Sequence, residues 1–329
     1  MNKKERVTIL IAIGVLLLCA CSKMTSTGGV QSSLENWLPG NHTLSIEVGG
    51  LERHFVVHVP QVYSRNKHWP VVIIFHGGGG TARGAMWETG FADRADREGF
   101  LAVFPEGSPP DSSRPGSFFN NPQTWNDGSE RGIGAVERKI DDVTFVSAMI
   151  RDLKKRFSVD DRRIYATGFS NGASMSFRIA RELSNSIAAV APVAGTDWLD
   201  AKRSDRAVPL LYITGTADPL NPYNGGEIFI GARSYGTKPS IQDMITKWIK
   251  FYNCQEKPHI VYNKDGAKGV AYTCTKGADT VLLYTIDGHG HHWPGGNSAL
   301  PERMAGKNIA HLNATEVIWD FFKAHPLSN

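Results

Sequence analysis

The hydrophobic pattern of the chain changes near residue 60. From His42 to Pro60, in HTLSIEVGGLERHFVVHVP, apolar and polar residues alternate on both sides of a Gly-Gly pair. Alternation indicates half-buried strands and the glycines indicate a turn, so this stretch predicts two antiparallel strands. After it come unbroken apolar runs, namely PVVIIFHG, FLAVFPEG, RRIYATGFS, IAAVAPVAG, VPLLYITGTAD and DTVLLYTIDG. Such runs are typical of strands buried on both faces of a parallel sheet.

Helical patterns lie between these runs. Residues 82–99 form one helical candidate, and Asp141 is suited to cap another, in which apolar residues recur at Val143, Val146, Met149, Ile150, Leu153 and Phe157. Further helices are predicted from about residue 171, over 241–252 and over 314–325. Strands that alternate with helices predict an α/β fold, with a mostly parallel sheet covered by helices on both faces. The Pro-, Ser-, Gly- and Asn-rich segment 107–135 predicts a long loop, and such loops are often functional.

The N-terminal segment predicts export. MNKKERVTILIAIGVLLLCAC has a basic start, an apolar stretch too short to span a bilayer comfortably, and small residues at its end. Its LCAC ending resembles a bacterial lipobox, which implies that residues 1–20 are a signal peptide and that Cys21 carries a lipid anchor. Residues 21–41 then form a flexible tether, and residues 42–329 form a single domain. A serine after the lipidated cysteine, here Ser22, resembles the pattern of lipoproteins that reside in the outer membrane. The alternative is an ordinary cleaved signal peptide without a lipid.

Composition and charge limit the classes of partner that the chain is expected to bind. The chain of 329 residues is 41% hydrophobic and 21% charged, so it can bury a sizeable core. The formal net charge is +4, half of it from the basic start, and no basic run indicates nucleic acid. In an oxidising compartment Cys254 and Cys274 are expected to form a disulfide, the alternative being two buried thiols. The sequence contains no C-x-x-C spacing of the kind that binds zinc.

A serine flanked by glycines follows one of the predicted strands. In YATGFSNGASMSF, Ser170 lies between Gly168 and Gly172, where an apolar run ends and a helical stretch begins. This is the G-x-S-x-G nucleophile elbow of α/β-hydrolases, in which a tight strand-to-helix turn exposes the hydroxyl. The pentapeptide could arise by chance in a chain with 34 glycines, but its position favours a catalytic serine.

A nucleophilic serine needs a base and an acid that orients the base. In this fold the acid and then the histidine follow the serine along the chain. Asp218 ends the run VPLLYITGTAD and fits the acid, although Asp before Pro219 is also a common turn former. The stretch TIDGHGHHWPGG offers three histidines, His289, His291 and His292, among which the residues alone do not choose. A zinc site made of these histidines is the alternative.

Backbone amides are needed to bind the oxyanion of a tetrahedral intermediate. One is the amide after the nucleophile, that of Asn171, and the other comes from a loop after an early strand. HGGGGT supplies that loop, with Gly77 and Gly78 as the candidate donors. A phosphate-binding loop is disfavoured, because Ala85 follows Gly84 where lysine is required.

Taken together, the motifs resemble a known family of secreted esterases, which includes polyhydroxybutyrate depolymerase and feruloyl esterase (carbohydrate esterase family 1). The resemblance covers most of the chain from about residue 42 and rests on HGGGGT, WNDG, IDDVTFVSAMI, RIYATGFSNGASMSFRIA, GTADPLNPYNGG and GHHWPGG. The final motif implies that His291 is the base. The resemblance further implies that Trp125 and Trp293 line the substrate, with simple packing as the alternative.

Two features depart from the pattern of this family. Asn221 stands where relatives usually carry an apolar residue, which implies that the loop around the acid packs differently. His289 stands where the family usually has glycine, and with His292 it adds ionisable groups beside the base.

The sequence therefore predicts a membrane-anchored serine carboxylic ester hydrolase that needs no metal or cofactor. Feruloyl or acetyl esters of polysaccharide fragments and hydroxyalkanoate oligomers are the expected substrates. The alternatives are a serine peptidase of the same fold and a non-catalytic surface lipoprotein that binds a ligand. No protein partner can be inferred from the residues.

Overall fold

The computed structural model of the chain describes residues 37–129, 134–199, 204–230, 233–275, 277–309 and 311–327. The predicted signal peptide at 1–20, the predicted anchor Cys21 and most of the predicted tether lie outside these residues. Within the described part of the chain, no helix has both the length and the apolar character needed to cross a membrane.

Strands and helices alternate along most of the chain. The strands are β1 (Gly40–Val48), β2 (Leu51–Val59), β3 (Trp69–Phe75), β4 (Leu101–Pro105), β5 (Val159–Phe169), β6 (Ala189–Val193), β7 (Leu210–Gly215), β8 (Gly226–Ile230), β9 (Arg233–Lys238), β10 (His259–Lys264), β11 (Ala267–Cys274) and β12 (Gly277–Ile286). The helices are α1 (Ala82–Thr89), α2 (Phe91–Glu98), α3 (Gly134–Glu137), α4 (Asp142–Arg156), α5 (Asn171–Glu182), α6 (Ile241–Phe251), α7 (Glu302–Ala305) and α8 (Ala314–Ala324).

Ten of these strands form one sheet in the order β1-β2-β4-β3-β5-β6-β7-β12-β11-β10. In this order, the six central strands β4, β3, β5, β6, β7 and β12 pair in parallel with one another. Strands β1 and β2 at one end of the sheet, and β11 and β10 at the other, pair antiparallel with their neighbours. The separate hairpin β8–β9 follows the end of β7 along the chain. This is the α/β architecture that the sequence predicts, with its antiparallel strands at the N-terminus.

The sheet separates two hydrophobic clusters. Alternate residues of β3 contribute to different clusters, Ile73 to one and Ile74 to the other. Helices α4 and α6 contribute to the first cluster, for example through Trp248, and helices α2 and α8 contribute to the second, for example through Phe91 and Trp319. Helices therefore cover both faces of the sheet, as predicted, and leave its strand ends for the loops that carry the site.

One predicted helix differs from the structure, and strands β8 to β11 are additions that the sequence analysis does not predict. The helical candidate over 82–99 is two helices, because Gly90 adopts a left-handed conformation with φ of 66° and ends the first of them. The predicted cap of α4 is confirmed, since the carboxylate of Asp141 accepts a hydrogen bond from the Thr144 amide. The predicted disulfide is also present and joins Cys254, just after α6, to Cys274 at the end of β11.

Candidate active site

Ser170 occupies the turn between β5 and α5. Its φ is 55° and its ψ is −116°, a conformation that residues other than glycine rarely adopt. The turn is held in place by the amide of Ser170, which donates a 3.0 Å hydrogen bond to the carbonyl of Val193 on β6. Such backbone strain is retained where the surrounding structure enforces it, and it is frequent at functional sites.

The flanking glycines allow the turn to form. A Cβ atom at Gly168 would lie 2.5 Å from the carbonyl oxygen of Gly172, and one at Gly172 would lie 2.3 Å from that of Phe75. Both distances are far inside van der Waals contact with backbone atoms, which cannot move away cheaply. The G-x-S-x-G pattern is therefore explained by the close approach of β3, β5 and α5.

Asp218 and His291 meet at the same edge of the sheet. Asp218 follows β7 and His291 follows the neighbouring parallel strand β12, so both lie beyond the carboxyl ends of their strands. His291 Nδ1 and Asp218 Oδ2 are 2.7 Å apart, and both side chains are buried. The imidazole also contacts the ring of Phe169, with ring centroids 4.7 Å apart. Because Phe169 directly precedes Ser170, this contact brings the histidine beside the turn that carries the serine.

Asp218 is held as a carboxylate. Its Oδ1 accepts hydrogen bonds from the amides of Leu220 at 2.8 Å and Asn221 at 2.7 Å, which leaves Oδ2 to His291. Burial raises the pKa of Asp218, but the charge and hydrogen bond of His291, the charge of Lys238 and the Asn221 amide outweigh burial and hold the pKa below its ordinary value. The group is therefore ionised at neutral pH and can orient an imidazole.

Asn221 and Lys238 form a buried polar network behind the acid. Lys238 Nζ donates to the carbonyl of Leu220 at 2.8 Å and to Asn221 Oδ1 at 3.0 Å. The same Oδ1 accepts from the Thr196 hydroxyl at 3.0 Å, and Asn221 Nδ2 donates to the Tyr212 hydroxyl at 2.8 Å. The polar residue that departs from the family pattern is thus hydrogen-bonded through both its side-chain oxygen and its side-chain nitrogen. No pattern in the sequence marked Lys238, which reaches the site from β9 of the separate hairpin.

His289 and His292 form hydrogen bonds with groups other than the carboxylate of Asp218. His289 Nδ1 accepts from the Ile309 amide at 3.0 Å, so its Nε2 donates to the carbonyl of His292 at 3.1 Å. Burial lowers the pKa of His289, which keeps this ring neutral. His292 lies 2.6 Å from the Ser298 hydroxyl through Nδ1 and 2.8 Å from the carbonyl of Gly306 through Nε2. Both rings fix the loop around His291.

The glycine loop after β3 faces the serine turn. A Cβ atom at Gly77 would lie 3.6 Å from Ser170 Cβ, and one at Gly78 would lie 3.8 Å from Asn171 Cβ. The structure therefore brings the predicted oxyanion residues together beside Ser170. The amide of Asn171 is the first of α5, and the first amides of a helix have no partner within the helix.

His76 supports this loop from behind. The ring is buried, its Nδ1 donates to the Gly77 carbonyl at 2.7 Å and its Nε2 accepts from the Gly107 amide at 2.9 Å. Burial lowers the pKa of His76 and keeps it neutral. Both ring nitrogens are thus occupied, which fits a structural role.

The two tryptophans that the resemblance assigns to the substrate are fully buried. Trp125 donates through its indole to the His76 carbonyl at 2.9 Å, and Trp293 donates to the Thr315 hydroxyl at 3.0 Å and contacts the ring of Phe91. Neither indole presents a surface to a bound molecule in this structure. Packing, the alternative, accounts for both residues, and we do not propose them as substrate contacts.

The sheet order, the serine turn and the position of the acid and histidine define an α/β-hydrolase. More narrowly, the chain belongs to the dienelactone hydrolase family, whose sequence model matches residues 54–230. The predicted resemblance to the feruloyl esterase and depolymerase group is also confirmed, as the relatives below indicate.

The chain is 30% identical to feruloyl esterase B of Piromyces equi over 246 residues, which make up 73% of this chain and 42% of that protein. It is 24% identical to poly(3-hydroxyalkanoate) depolymerase C of Paucimonas lemoignei over 252 residues, 72% of this chain and 58% of that protein. It therefore spans less than two thirds of either enzyme. The acetyl xylan esterase from Aspergillus awamori has the same fold, with a TM-score of 0.54 at 13% identity over 76% of this chain and 94% of that one.

Proposed function

We propose that this chain is a carboxylic ester hydrolase that works through an acyl-enzyme on Ser170. His291 Nε2 takes the hydroxyl proton as Ser170 Oγ attacks the ester carbonyl carbon, and Asp218 orients the imidazole and stabilises its charged form. The amides of Asn171 and of the Gly77–Gly78 loop bind the oxyanion. Every step uses groups of the chain itself.

The remaining steps follow from the same groups. The tetrahedral intermediate collapses, the bond to the alcohol oxygen breaks, and His291 returns its proton to that oxygen. Water then attacks the acyl-enzyme while His291 accepts a proton from it. Collapse of the second intermediate breaks the bond to Ser170 Oγ, which regains a proton as the carboxylic acid departs.

One observation carries this proposal. The 2.7 Å contact between His291 Nδ1 and an ionised Asp218 leaves the other imidazole nitrogen for chemistry, beside a serine held in a strained turn. A serine used only for packing would not need the strained backbone, and a buried carboxylate used only to shape a turn would not need the histidine. Because the arrangement combines all three features, hydrolysis is favoured over a binding role.

The substrates that we propose are feruloyl or acetyl esters of polysaccharide fragments and hydroxyalkanoate oligomers. The relatives support this choice, since they include a feruloyl esterase and a poly(3-hydroxyalkanoate) depolymerase, and an acetyl xylan esterase shares the fold. A panel of methyl ferulate, acetylated xylo-oligosaccharide and hydroxybutyrate oligomer separates the three classes.

Replacement of the serine tests the reaction. We expect Ser170→Ala to abolish hydrolysis of p-nitrophenyl acetate while thermal unfolding stays cooperative. Ser45→Ala, an exposed serine on β1, is the matched control and should keep wild-type turnover. Full activity of Ser170→Ala would contradict the proposal. Wild-type cleavage of peptides but not esters would favour the peptidase, and no cleavage of either would favour a ligand-binding lipoprotein.

We further propose that the mature chain is a lipoprotein anchored through Cys21 at the outer membrane. The support is the basic and apolar N-terminal segment with its LCAC ending. Cys21→Ser should move the protein from the membrane fraction of the cell to the soluble fraction. A membrane fraction unchanged by this substitution would contradict the anchor.

A further inference from the structure

Two adjacent phenylalanines project from the long loop after β4. Phe118 is 46% exposed and Phe119 is 84% exposed, and their ring centroids are 4.9 Å apart in an edge-to-face arrangement. Single exposed apolar residues are normal on a protein surface. A paired aromatic surface at one loop tip is less readily explained, because neither ring is fully covered by the fold and each leaves apolar area in water.

The loop that carries these rings is held together by hydrogen bonds. Ser117 and Asn121 exchange two backbone hydrogen bonds, at 2.9 and 3.2 Å, across the tip. The side chain of Asn121 is buried, and its amide group donates to the carbonyls of Asp111, Arg114 and Pro115 while its oxygen accepts from the Asp111 amide. The backbone that carries the phenylalanine pair is therefore held in place before any ligand arrives, which lowers the entropic cost of binding.

Phe118 lies against the glycine loop after β3 that carries Gly77 and Gly78. A Cβ atom at Gly79 would lie 3.0 Å from the Phe118 ring, and the Gly79 amide donates a 2.7 Å hydrogen bond to the carbonyl of Gln123. Gln123 also donates through its side chain to the carbonyl of Gly80 at 3.1 Å. Gly79 is two residues from Gly77, which faces Ser170, and two residues of chain span at most about 7 Å. The Phe118 ring therefore packs on the same glycine loop that faces Ser170 two residues earlier.

We propose that Phe118 and Phe119 form a subsite for the aromatic ring of an ester substrate. Aromatic rings gain from edge-to-face and offset contacts with other rings beyond the area that they bury. The proposed subsite accepts a ring on either the acyl side or the alcohol side of the ester. The subsite rests on the proposed function, because it assumes that Ser170 attacks an ester.

Three esters separate the possible outcomes. Methyl ferulate carries its ring on the acyl side, phenyl acetate carries it on the alcohol side, and ethyl acetate has no ring. We expect Phe119→Ala to lower kcat/KM by about tenfold for one of the aromatic esters, mainly through KM, and by less than about twofold for ethyl acetate. The ester that is affected identifies the side of the substrate that binds here.

Matched variants make the test sharp. Phe119→Tyr keeps the ring and should keep the activity, whereas Phe119→Leu keeps apolar area without the ring and should fall between the two. Ile260→Ala removes another exposed apolar side chain, on the edge strand β10, and should change nothing. Phe118→Ala should act in the same direction as Phe119→Ala.

Several results would overturn the subsite. Equal losses on all three esters would mean that the pair only supports the loop, and unchanged kinetics would mean that it does not touch the substrate. A loss confined to adsorption on insoluble polyester would make it a polymer-contact surface instead. If the wild-type protein cleaves none of the esters, the proposed function fails; if it cleaves them and the variants match it, only the subsite fails.

Discussion

At the scale of single residues, hydrogen bonds distinguish three neighbouring histidines that the residue pattern left equivalent. His291 binds the carboxylate of Asp218, whereas His289 binds the backbone of His292 and Ile309, and His292 binds the carbonyl of Gly306. The resemblance assigns the base to His291, which is the histidine of the three that contacts Asp218. The sequence alone does not identify the base among the three histidines. The orientation of each imidazole ring depends on the path of the backbone at Gly306 and Ile309, which belong to a separate part of the chain.

These contacts predict unequal effects of two substitutions. His291→Ala removes the proposed base and should lower kcat/KM for p-nitrophenyl acetate by about 10³-fold or more. His289→Ala removes two buried hydrogen bonds and should act mainly on stability, by about 1–3 kcal/mol. Initial rates and urea unfolding of both variants measure the difference. A larger loss of activity from His289→Ala would mean that the base is assigned to the wrong histidine.

At the scale of elements, the surroundings of Asp218, the proposed acid, include a hairpin that the sequence did not predict. Asp218 was predicted from its place at the end of an apolar run. Strands β8 and β9 have neither a long apolar run nor strict alternation, so no periodic signal marked them. The hairpin supplies Lys238, whose charge lowers the pKa of Asp218 and whose ammonium group binds Asn221.

Lys238 should therefore hold down the pKa of Asp218. Because its charge favours the ionised form of that carboxyl, Lys238→Met should raise the pKa of Asp218. A carboxyl with a lowered pKa in the folded state stabilises the fold above its unfolded pKa, and this contribution is lost as the pH falls through the folded pKa. The loss of unfolding free energy between about pH 6 and pH 3 should therefore be smaller in Lys238→Met than in the wild type. Lys238→Arg should keep the wild-type dependence, and Lys264→Met, which removes an exposed lysine on β10, serves as the control. An equal pH dependence of urea unfolding in Lys238→Met and the wild type would show that this charge does not act on Asp218.

At the scale of the whole molecule, apolar periodicity predicted eight of the ten strands of the large sheet and missed β10 and β11. The buried parallel strands appear as unbroken apolar runs because both of their faces contact helices. Strand β1 alternates because one of its faces is more exposed, whereas β2 is buried on both faces from Phe55 onward. The division of 82–99 into two helices and the burial of Trp125 and Trp293 were not predictable in this way. A glycine within a helical pattern does not reveal that it will adopt φ of 66°, and an aromatic residue in a loop does not reveal which side covers it.

The disulfide should stabilise this architecture at one end of the sheet. It closes a loop between residues 20 positions apart, which corresponds to about 3 kcal/mol of unfolding free energy in the loop-entropy description. A Cys254→Ser, Cys274→Ser double variant should show that loss in urea unfolding. The wild type should fall to the same midpoint when reductant is added, whereas the double variant should not respond. An unchanged midpoint in the double variant would contradict a stabilising role.

The central claim is that Ser170 is activated by His291 and Asp218. Mass spectrometric mapping of a fluorophosphonate adduct tests this most directly, because the reagent reacts with a serine only where a base and an oxyanion site activate it. We expect rapid labelling at Ser170 in the wild type and strongly slowed labelling in His291→Ala and Asp218→Asn. An unlabelled Ser170 in the folded wild type, or labelling at an unchanged rate in both variants, would contradict the account.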